Sequence, residues 1–412
     1  MGKYYCDLYD EIMNCLTIDT HCHHIPDNPY PKFGNIFHVP DDHFEGFNLD
    51  KILETSYVEW CGVKFDSTYE GRRKYLDKVK YKAFFRALQK SIMKIYKIDS
   101  ELTPENWDYY NSIISETYKE NKDWQLTILK EFCKFEKIIL DAYWKPGDDN
   151  GHPELYTPTF RIDPFFCGYD KNVLDHDGFN VYKHYGKEFT NIDEFIDFTH
   201  ETIKFHVQHG CYCLKNAIAY DRTLEFRTVT KEDANKVFEK KNYSKEDVAN
   251  FQDYLFNEVC RIAAELDVPI QCHTGMGQIG NTRAINMLNV IKQNKNTKFS
   301  LMHGSFPWTS DILAYMDMYP NVYSDVVWLP ALSPTTGEYV LHQLIEVGTS
   351  DKVFWGCDSW NSEESYGAKM TMADVLAKVL ETKILNGYFS VSHAHELISK
   401  IMRDNAKELF KI

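Results

Sequence analysis

The sequence predicts a parallel α/β fold, a (β/α)8 TIM barrel, and three observations carry that expectation. Eight short runs rich in β-branched, aromatic and other apolar residues recur along the 412 residues. Each is apolar enough to be buried on both faces, as parallel strands covered by helices are. Longer helical patterns separate the runs, and eight such strands in order suit a closed barrel better than an open doubly wound sheet. No glycine-rich phosphate loop follows the first run, so nucleotide-binding versions of the open sheet lose their main support.

The predicted strands lie at residues 16–19, 137–141, 156–162, 211–215, 268–272, 299–302, 321–326 and 352–356. Helical spacing is read at 248–266, 282–293, 310–319, 339–347 and 367–385, and closing helices at 393–410. Two connections are too long for bare loops. The first, from residue 25 to 135, is predicted to hold a helical insertion at about 60–130, packed over the barrel mouth. Its stretch 72–97 carries ten Lys and Arg against one acid, Asp77, and reads as a solvated helix face or a subunit contact ahead of a polyanion site. Thr103 followed by Pro104 reads as a helix start, with Thr103 as the cap. The second connection, 163–209, carries Gly168, Gly178 and Gly186 with several histidines and is expected to form part of a lid. The chain, 1–412, is thus expected to be a single barrel domain.

Composition narrows the class. The 46 Lys plus Arg against 61 Asp plus Glu leave a net charge of −15, which argues against a nucleic-acid or anionic-membrane binder. With 43% apolar residues and no uncharged apolar run of about 18, the chain reads as globular and without a membrane-spanning helix. The 11 cysteines form no repeated CxxC unit, and Cys211 and Cys213 read as buried strand residues, so neither a disulfide framework nor a zinc ribbon is expected. Acids occupy the first fifteen residues where a secretory signal would be apolar, so a cytoplasmic location is expected.

The chemistry gathers at strand ends. Residues two apart in a strand share a side, so His21 and His23 of the first strand can converge on one ion at the carboxyl end, where barrel active sites lie. The same end receives His273 from the fifth strand, His303 from the sixth and Asp358 from the eighth. Imidazoles with a carboxylate suit zinc first, and also manganese, iron or nickel. Lys215 closes the fourth strand, where an ammonium is costly unless paired. It would face a substrate carboxylate, have a lowered pKa, bridge two ions as a carbamate, or simply snorkel to solvent. Asp325 ends the seventh strand, where it would orient a histidine, contact substrate or cap a helix. Arg161, Arg222 and Arg283 near the same end are candidate clamps for a substrate carboxylate, with His24, Trp144 and Trp328 as candidate pocket walls.

These motifs resemble the amidohydrolase superfamily of metal-dependent barrel hydrolases, and within it the amidohydrolase-2 type and the nodulin-like amidohydrolases found alone or fused to glutamine-synthetase-like proteins. The resemblance rests on His21-Cys-His23, on the stretch from Lys215 through Arg222 to Leu224, on Pro269 to Gly275, and on His303 to Pro307. Pro320 to Asp325, Gly356 to Ser359, Leu102 to Trp107 and Arg403-Asp-Asn405 extend it over nearly the whole chain. It implies that His21, His23, His273 and Asp358 hold the principal divalent metal, with Asp358 also the proton shuttle. His303 would bind a second metal or polarise the substrate, and Lys215 would be a carbamylated bridge in the two-metal case. The implied activity is metal-dependent hydrolysis of a C–N, amide-like bond in a small carboxylate-bearing substrate. Alternatives are a uronate-isomerase-like sugar acid isomerase, a decarboxylase, or a non-enzymatic metal-binding protein. A small molecule is the expected partner, with no nucleic acid and no membrane, and a homo-oligomer is expected because closed homo-oligomers are common.

Overall fold

The computed structural model describes residues 2–26, 47–58, 62–240, 242–278 and 280–412. Nine strand segments follow in chain order: β1 (Thr17–Cys22), β2 (Phe135–Leu140), β3 (Tyr156–Pro158), β4 (Phe160–Arg161), β5 (Leu214–Asn216), β6 (Ile270–Cys272), β7 (Phe299–Leu301), β8 (Val322–Asp325) and β9 (Val353–Phe354). They pair as β1-β2-β3 and as β4-β5-β6-β7-β8-β9, and every ladder is parallel. β3 and β4 occupy one strand position interrupted at Thr159, whose N–H still donates to Leu140 O at 2.9 Å while Phe160 N–H donates to Cys213 O at 3.1 Å. Each predicted strand therefore has its counterpart, with β1 running three residues further, β2 starting two residues earlier, and most of the later ones shorter than expected.

The seam between the last strand and the first is bridged by backbone bonds. Thr20 N–H donates to Trp355 O at 3.4 Å and Asp358 N–H donates to His21 O at 2.8 Å. Gly356 permits that approach, because a Cβ there would stand 2.7 Å from Thr20 Oγ1 and 2.8 Å from the His21 nitrogen. The strand side chains are almost entirely buried, as the unbroken apolar runs required.

Around the sheet lie the helices Lys245–Glu265, Leu288–Gln293, Ser310–Met318, Pro334–Val347 and Ser362–Leu385. Ser362–Leu385 is buried along most of its length, charged residues such as Glu363 and Lys369 included, because it packs against the N-terminal helix Tyr5–Asn14 and against Ala83–Ile95 of the insertion. The closing segment is Val391–Ser399, a wider π turn Lys400–Asp404, and Asn405–Phe410. In it His393 shares a capping box with Ser390, and His395 pairs with Glu11 at 2.5 Å.

Part of the first long connection, 27–46 and 59–61, lies outside the described residues. The remainder holds Leu49–Glu54, Tyr69–Val79, Ala83–Ile95 and Trp107–Glu120. Two buried glutamates tie this insertion to the barrel. Glu363 accepts Tyr96 Oη–H at 2.6 Å and Tyr118 Oη–H at 3.0 Å, and Glu364 accepts Tyr57 N–H at 2.8 Å. Part of the basic run is paired locally: Arg73 with Glu70 and Asp77, Arg86 with Glu101, and Arg72 with Asp108. Thr103 makes the bonds of a cap, accepting Asn106 N–H at Oγ1 at 3.4 Å while its own N–H donates to Asn106 Oδ1 at 2.7 Å, but the turn it caps precedes the regular helix. The helix Trp107–Glu120 starts three residues beyond Pro104, and its buried Trp107 indole donates to Asp50 at 2.7 Å. Ten cysteines are free among the described residues, Cys211 and Cys213 lying buried just before β5. Among the described residues, no helix is long and apolar enough to cross a membrane.

Candidate functional site

β1 delivers two imidazoles whose orientation is set by neighbouring acceptors. Gln271 of β6 donates from Nε2 to Thr20 O at 2.6 Å, which turns its Oε1 toward His21 Nδ1 at 3.1 Å. His21 therefore carries its proton on Nδ1 and leaves Nε2 bare. His23 Nδ1–H donates to Asp141 O at 2.9 Å, which leaves its Nε2 bare as well. Imidazoles held in this way by an acceptor at the far nitrogen are prepared metal ligands.

Asp358 stands between them. Its Oδ1 is 3.7 Å from His21 Nε2 and 3.3 Å from His23 Nε2, and its Oδ2 is 3.7 Å from His303 Nδ1. His303 Nε2 and His273 Nδ1 lie 2.9 Å apart, and His273 Nε2 donates to Met276 O at 2.5 Å. That chain leaves His303 Nδ1 buried without a hydrogen bond of ordinary geometry. Burial pushes His21 and His303 well below the usual imidazole value and His273 down to about 3, so all three are neutral at pH 7.

Lys215 of β5 is 2% exposed, with Nζ 3.2 Å from His21 Nε2 and 2.9 Å from Met302 Sδ. Burial pulls its pKa down, against Asp141 and Asp358, which pull it up. Asp141, just after β2, was not singled out in the sequence. Its Oδ2 lies 3.9 Å from both His21 Nε2 and His23 Nδ1, and Arg161 binds it from Nη2 at 2.5 Å and Nε at 3.2 Å. His21, His23 and Asp141 form a buried group whose ligand atoms lie within 4.8 Å of one another. Bare imidazole nitrogens, an orphaned third one and a carboxylate are a donor set that fits a divalent transition metal.

These groups open on a cavity of about 490 Å³, lined by His23, Lys215, His273, His303 and Asp358. Its other walls are Tyr57, Gly62 and Lys64 from the insertion, Tyr143, Arg161, Ala217, Tyr220 and Trp360, and His176 with Asp177 from the second long connection. The six residues expected as ligands are thus brought together, His21 through its contact with Lys215. Of the expected substrate contacts only Arg161 reaches the cavity. Arg222 is locked to Asp253 at 2.6 Å and Arg283 to Asp311 at 2.6 Å. Asp325 accepts Thr20 Oγ1–H at 2.6 Å and Val327 N–H at 3.1 Å, orienting backbone rather than a histidine. His24 points the other way, toward Tyr156 Oη at 3.1 Å and Ser365 Oγ at 2.7 Å. Trp144 is buried beside Tyr143, and it is Tyr143 that forms the wall. Trp328 packs on Tyr57 and His303. Asp141 and Gln271 could have been found by the rule that found Asp358, a polar residue within or closing an apolar strand. Tyr57, Lys64, His176 and Asp177 carry no such signal.

Residues 240–412 match the amidohydrolase family, a span that includes His273, His303 and Asp358. Protein fluG of Emericella nidulans is 27% identical over 150 residues, 35% of this chain and 17% of its own length. A uronate isomerase of Streptococcus uberis is 23% identical over 298 residues, 65% of this chain and 60% of its own. The chain therefore spans less than two thirds of either relative. The uronate isomerase structure of Thermotoga maritima superposes with a TM-score of 0.75 at 16% identity, covering 100% of this chain and 98% of that one. A Lactobacillus casei structure, provisionally described as a metal-dependent hydrolase, gives 0.71 at 16% identity, covering 98% and 97%. At such identities the structures establish a shared TIM-barrel fold. The chain is thus similar to the amidohydrolase family over residues 240–412 and shares a TIM-barrel fold with these structures over nearly its whole length.

Proposed function

We propose that the protein is a metal-dependent hydrolase that opens a C–N, amide-like bond in a small carboxylate-bearing substrate. The observation that carries the reading is the Asp358 carboxylate, 3.3 and 3.7 Å from two imidazole nitrogens that their anchors leave bare. His21, His23 and Asp358 would hold the ion, with His273 or His303 completing its shell. A bound divalent ion supplies acidified water and polarises a carbonyl oxygen.

The chain's own groups do the rest. Asp358 accepts a proton at Oδ1 or Oδ2 from the attacking water and returns it to the departing amine. With His303 Nε2–H donating a hydrogen bond to His273 Nδ1, the bare His303 Nδ1 acts as a ligand or proton acceptor and not as an oxyanion donor. Tyr57, Tyr143, Tyr220 and Trp360 wall the cavity and exclude water from the reacting atoms. Zinc suits the nitrogen-rich donor set best, with manganese, iron and nickel next.

The likeness to uronate isomerases along nearly the full chain favours one second reading, in which Asp358 carries a proton between adjacent carbons of a sugar acid. Metal content per chain comes first, followed by a panel of N-acyl amino acids, sugar acids and aromatic acids. Amine release supports hydrolysis, aldose–ketose interconversion the isomerase, and carbon dioxide a decarboxylase. Asp358→Asn should lower turnover at least about a hundredfold, in line with loss of a general acid–base. Near-normal turnover in that variant, with metal retained, would refute the assignment.

A further inference from the structure

Arg161 is surrounded by more carboxylates than one guanidinium needs. Its Nε and Nη2 are committed to Asp141, and Asp163 Oδ2 stands 3.7 Å from Nε. That leaves Nη1, which is bound by Asp177 Oδ2. The same oxygen lies 3.3 Å from His176 Nε2, while His176 Nδ1 is held by Asp221 at 2.8 Å. Arg161 is 8% exposed, and Arg161, His176 and Asp177 all line the cavity that contains Asp358.

The Asp177 carboxylate is not needed to shape its own loop. Asp175 accepts the N–H of Asp177 at 3.1 Å and of Phe179 at 2.7 Å, and its own N–H donates to Phe179 O at 2.9 Å. Gly178 N–H donates to Asp175 O at 3.0 Å, and Asn180 Nδ2 reaches back to Asp170 O at 3.0 Å. The backbone that presents Asp177 is thus fixed by other groups, and its side chain is spent on the two cationic donors.

We propose that Arg161 Nη1 and His176 Nε2 form a carboxylate-binding subsite of the cavity, and that Asp177 fills it as an internal stand-in which an acidic ligand displaces. This deepens the proposed function, on which it rests only for the carboxylate class of the substrate. A tethered competitor has an effective concentration in the millimolar range or above, so a bare carboxylate gains little against it. An acidic ligand must add contacts to the tyrosine and tryptophan walls before it wins, which makes the subsite selective for acids large enough to reach both.

The test is calorimetric titration of the purified protein with D-glucuronate and with acetate, D-glucose serving as the uncharged control. Asp177→Asn and Asp177→Ala should bind D-glucuronate at least about tenfold tighter than the unaltered protein, the worth of one charge-assisted bond no longer contested. D-glucose should not respond, and adding His176→Gln or Arg161→Met should abolish the gain. Unchanged or weaker D-glucuronate binding in both Asp177 variants, with native circular dichroism, overturns the proposal. So does a gain shared by D-glucose, or one that survives Arg161→Met, or no binding to any variant. Metal content is measured on the same samples. Metal-free protein that gains affinity would sink the hydrolase reading alone, and metal-loaded protein that gains none would sink only the subsite.

Discussion

Replacing Asp141 by alanine should be among the most costly single changes in this barrel. Asp141 is 1% exposed and holds Arg161, 8% exposed, through two bonds of 2.5 and 3.2 Å. Removing one partner of a buried pair typically costs about 3–5 kcal/mol, because a charge is left in a poor solvent. Arg161 would keep Asp177 and the more distant Asp163, at 3.7 Å, so the lower end, about 3 kcal/mol, applies. The His23 anchor survives, since its acceptor is the Asp141 backbone oxygen. The assay is urea unfolding of metal-stripped protein at pH 7, beside Asp141→Asn, which keeps one acceptor oxygen and should lose less. The pH dependence has a definite sign. Burial pushes the Asp141 carboxyl up, but Arg161, His23 and Lys215 pull it further down, and it ends below its ordinary value of 3.8. Its contribution is therefore full at neutral pH and lost as pH falls through the folded value, below the ordinary carboxylate range. Unfolding of Asp141→Ala within about 1 kcal/mol of the unaltered protein would refute the view of this pair as a buried brace.

Three further changes separate the site from its surroundings. Gln271→Leu removes the acceptor of His21 Nδ1 and should weaken zinc affinity about 10- to 100-fold in chelator competition, with little change in circular dichroism. Arg222→Ala leaves the fully buried Asp253 with Arg227 alone, so stability should fall while turnover on any substrate found stays within about twofold, as expected away from the reacting atoms. Burial raises the Asp325 carboxyl from 3.8 to about 7. A raised folded value means that its contribution is full below pH 3.8 and lost as pH climbs through about 7. Asp325→Asn should therefore flatten the decline in urea midpoint of stripped protein between pH 5 and pH 8.

Much of this was legible because the period of a strand is short and its burial total. His21 and His23 share a side by spacing alone, and His273, His303 and Asp358 recur at strand ends, so the ligand constellation follows from local pattern. The arginines were not legible in this way. Arg222 and Arg283 sit near the active end but are claimed by Asp253 and Asp311, about thirty residues further along, a pairing that no local period encodes. Arg161 reads as a substrate clamp until Asp141, Asp163 and Asp177 are seen around it. Tyr57 and Lys64 reach the cavity from an insertion whose own Tyr57, Tyr96 and Tyr118 bond to Glu363 and Glu364, hundreds of residues away in sequence. Cap chemistry located the turn from Thr103 to Asn106 but not the boundary of the regular helix, which begins at Trp107, three residues after Pro104.

The last strands leave the sheet through residues that pay no heed to backbone preference. His303, Trp328 and Asp358 have φ of 63°, 68° and 59°, the left-handed region that favours glycine. Such non-glycine residues cost on the order of 1–3 kcal/mol each and persist where the surroundings over-determine them. At Asp358 the constraint is visible: its N–H is tied to His21 O at 2.8 Å while its carboxylate must face His21, His23 and His303. Glycine would relax the backbone but remove the ligand. The strain can be read by comparing two variants that both lack the carboxylate. In ordinary helix or strand positions glycine is less stable than alanine by about 0.5–1 kcal/mol. Here Asp358→Gly should be more stable than Asp358→Ala by about 1 kcal/mol in urea unfolding of stripped protein, because only alanine retains the left-handed penalty. Equal stability, or alanine the more stable, would mean that the turn after β9 imposes no strain and that the positions of the ligands owe nothing to it.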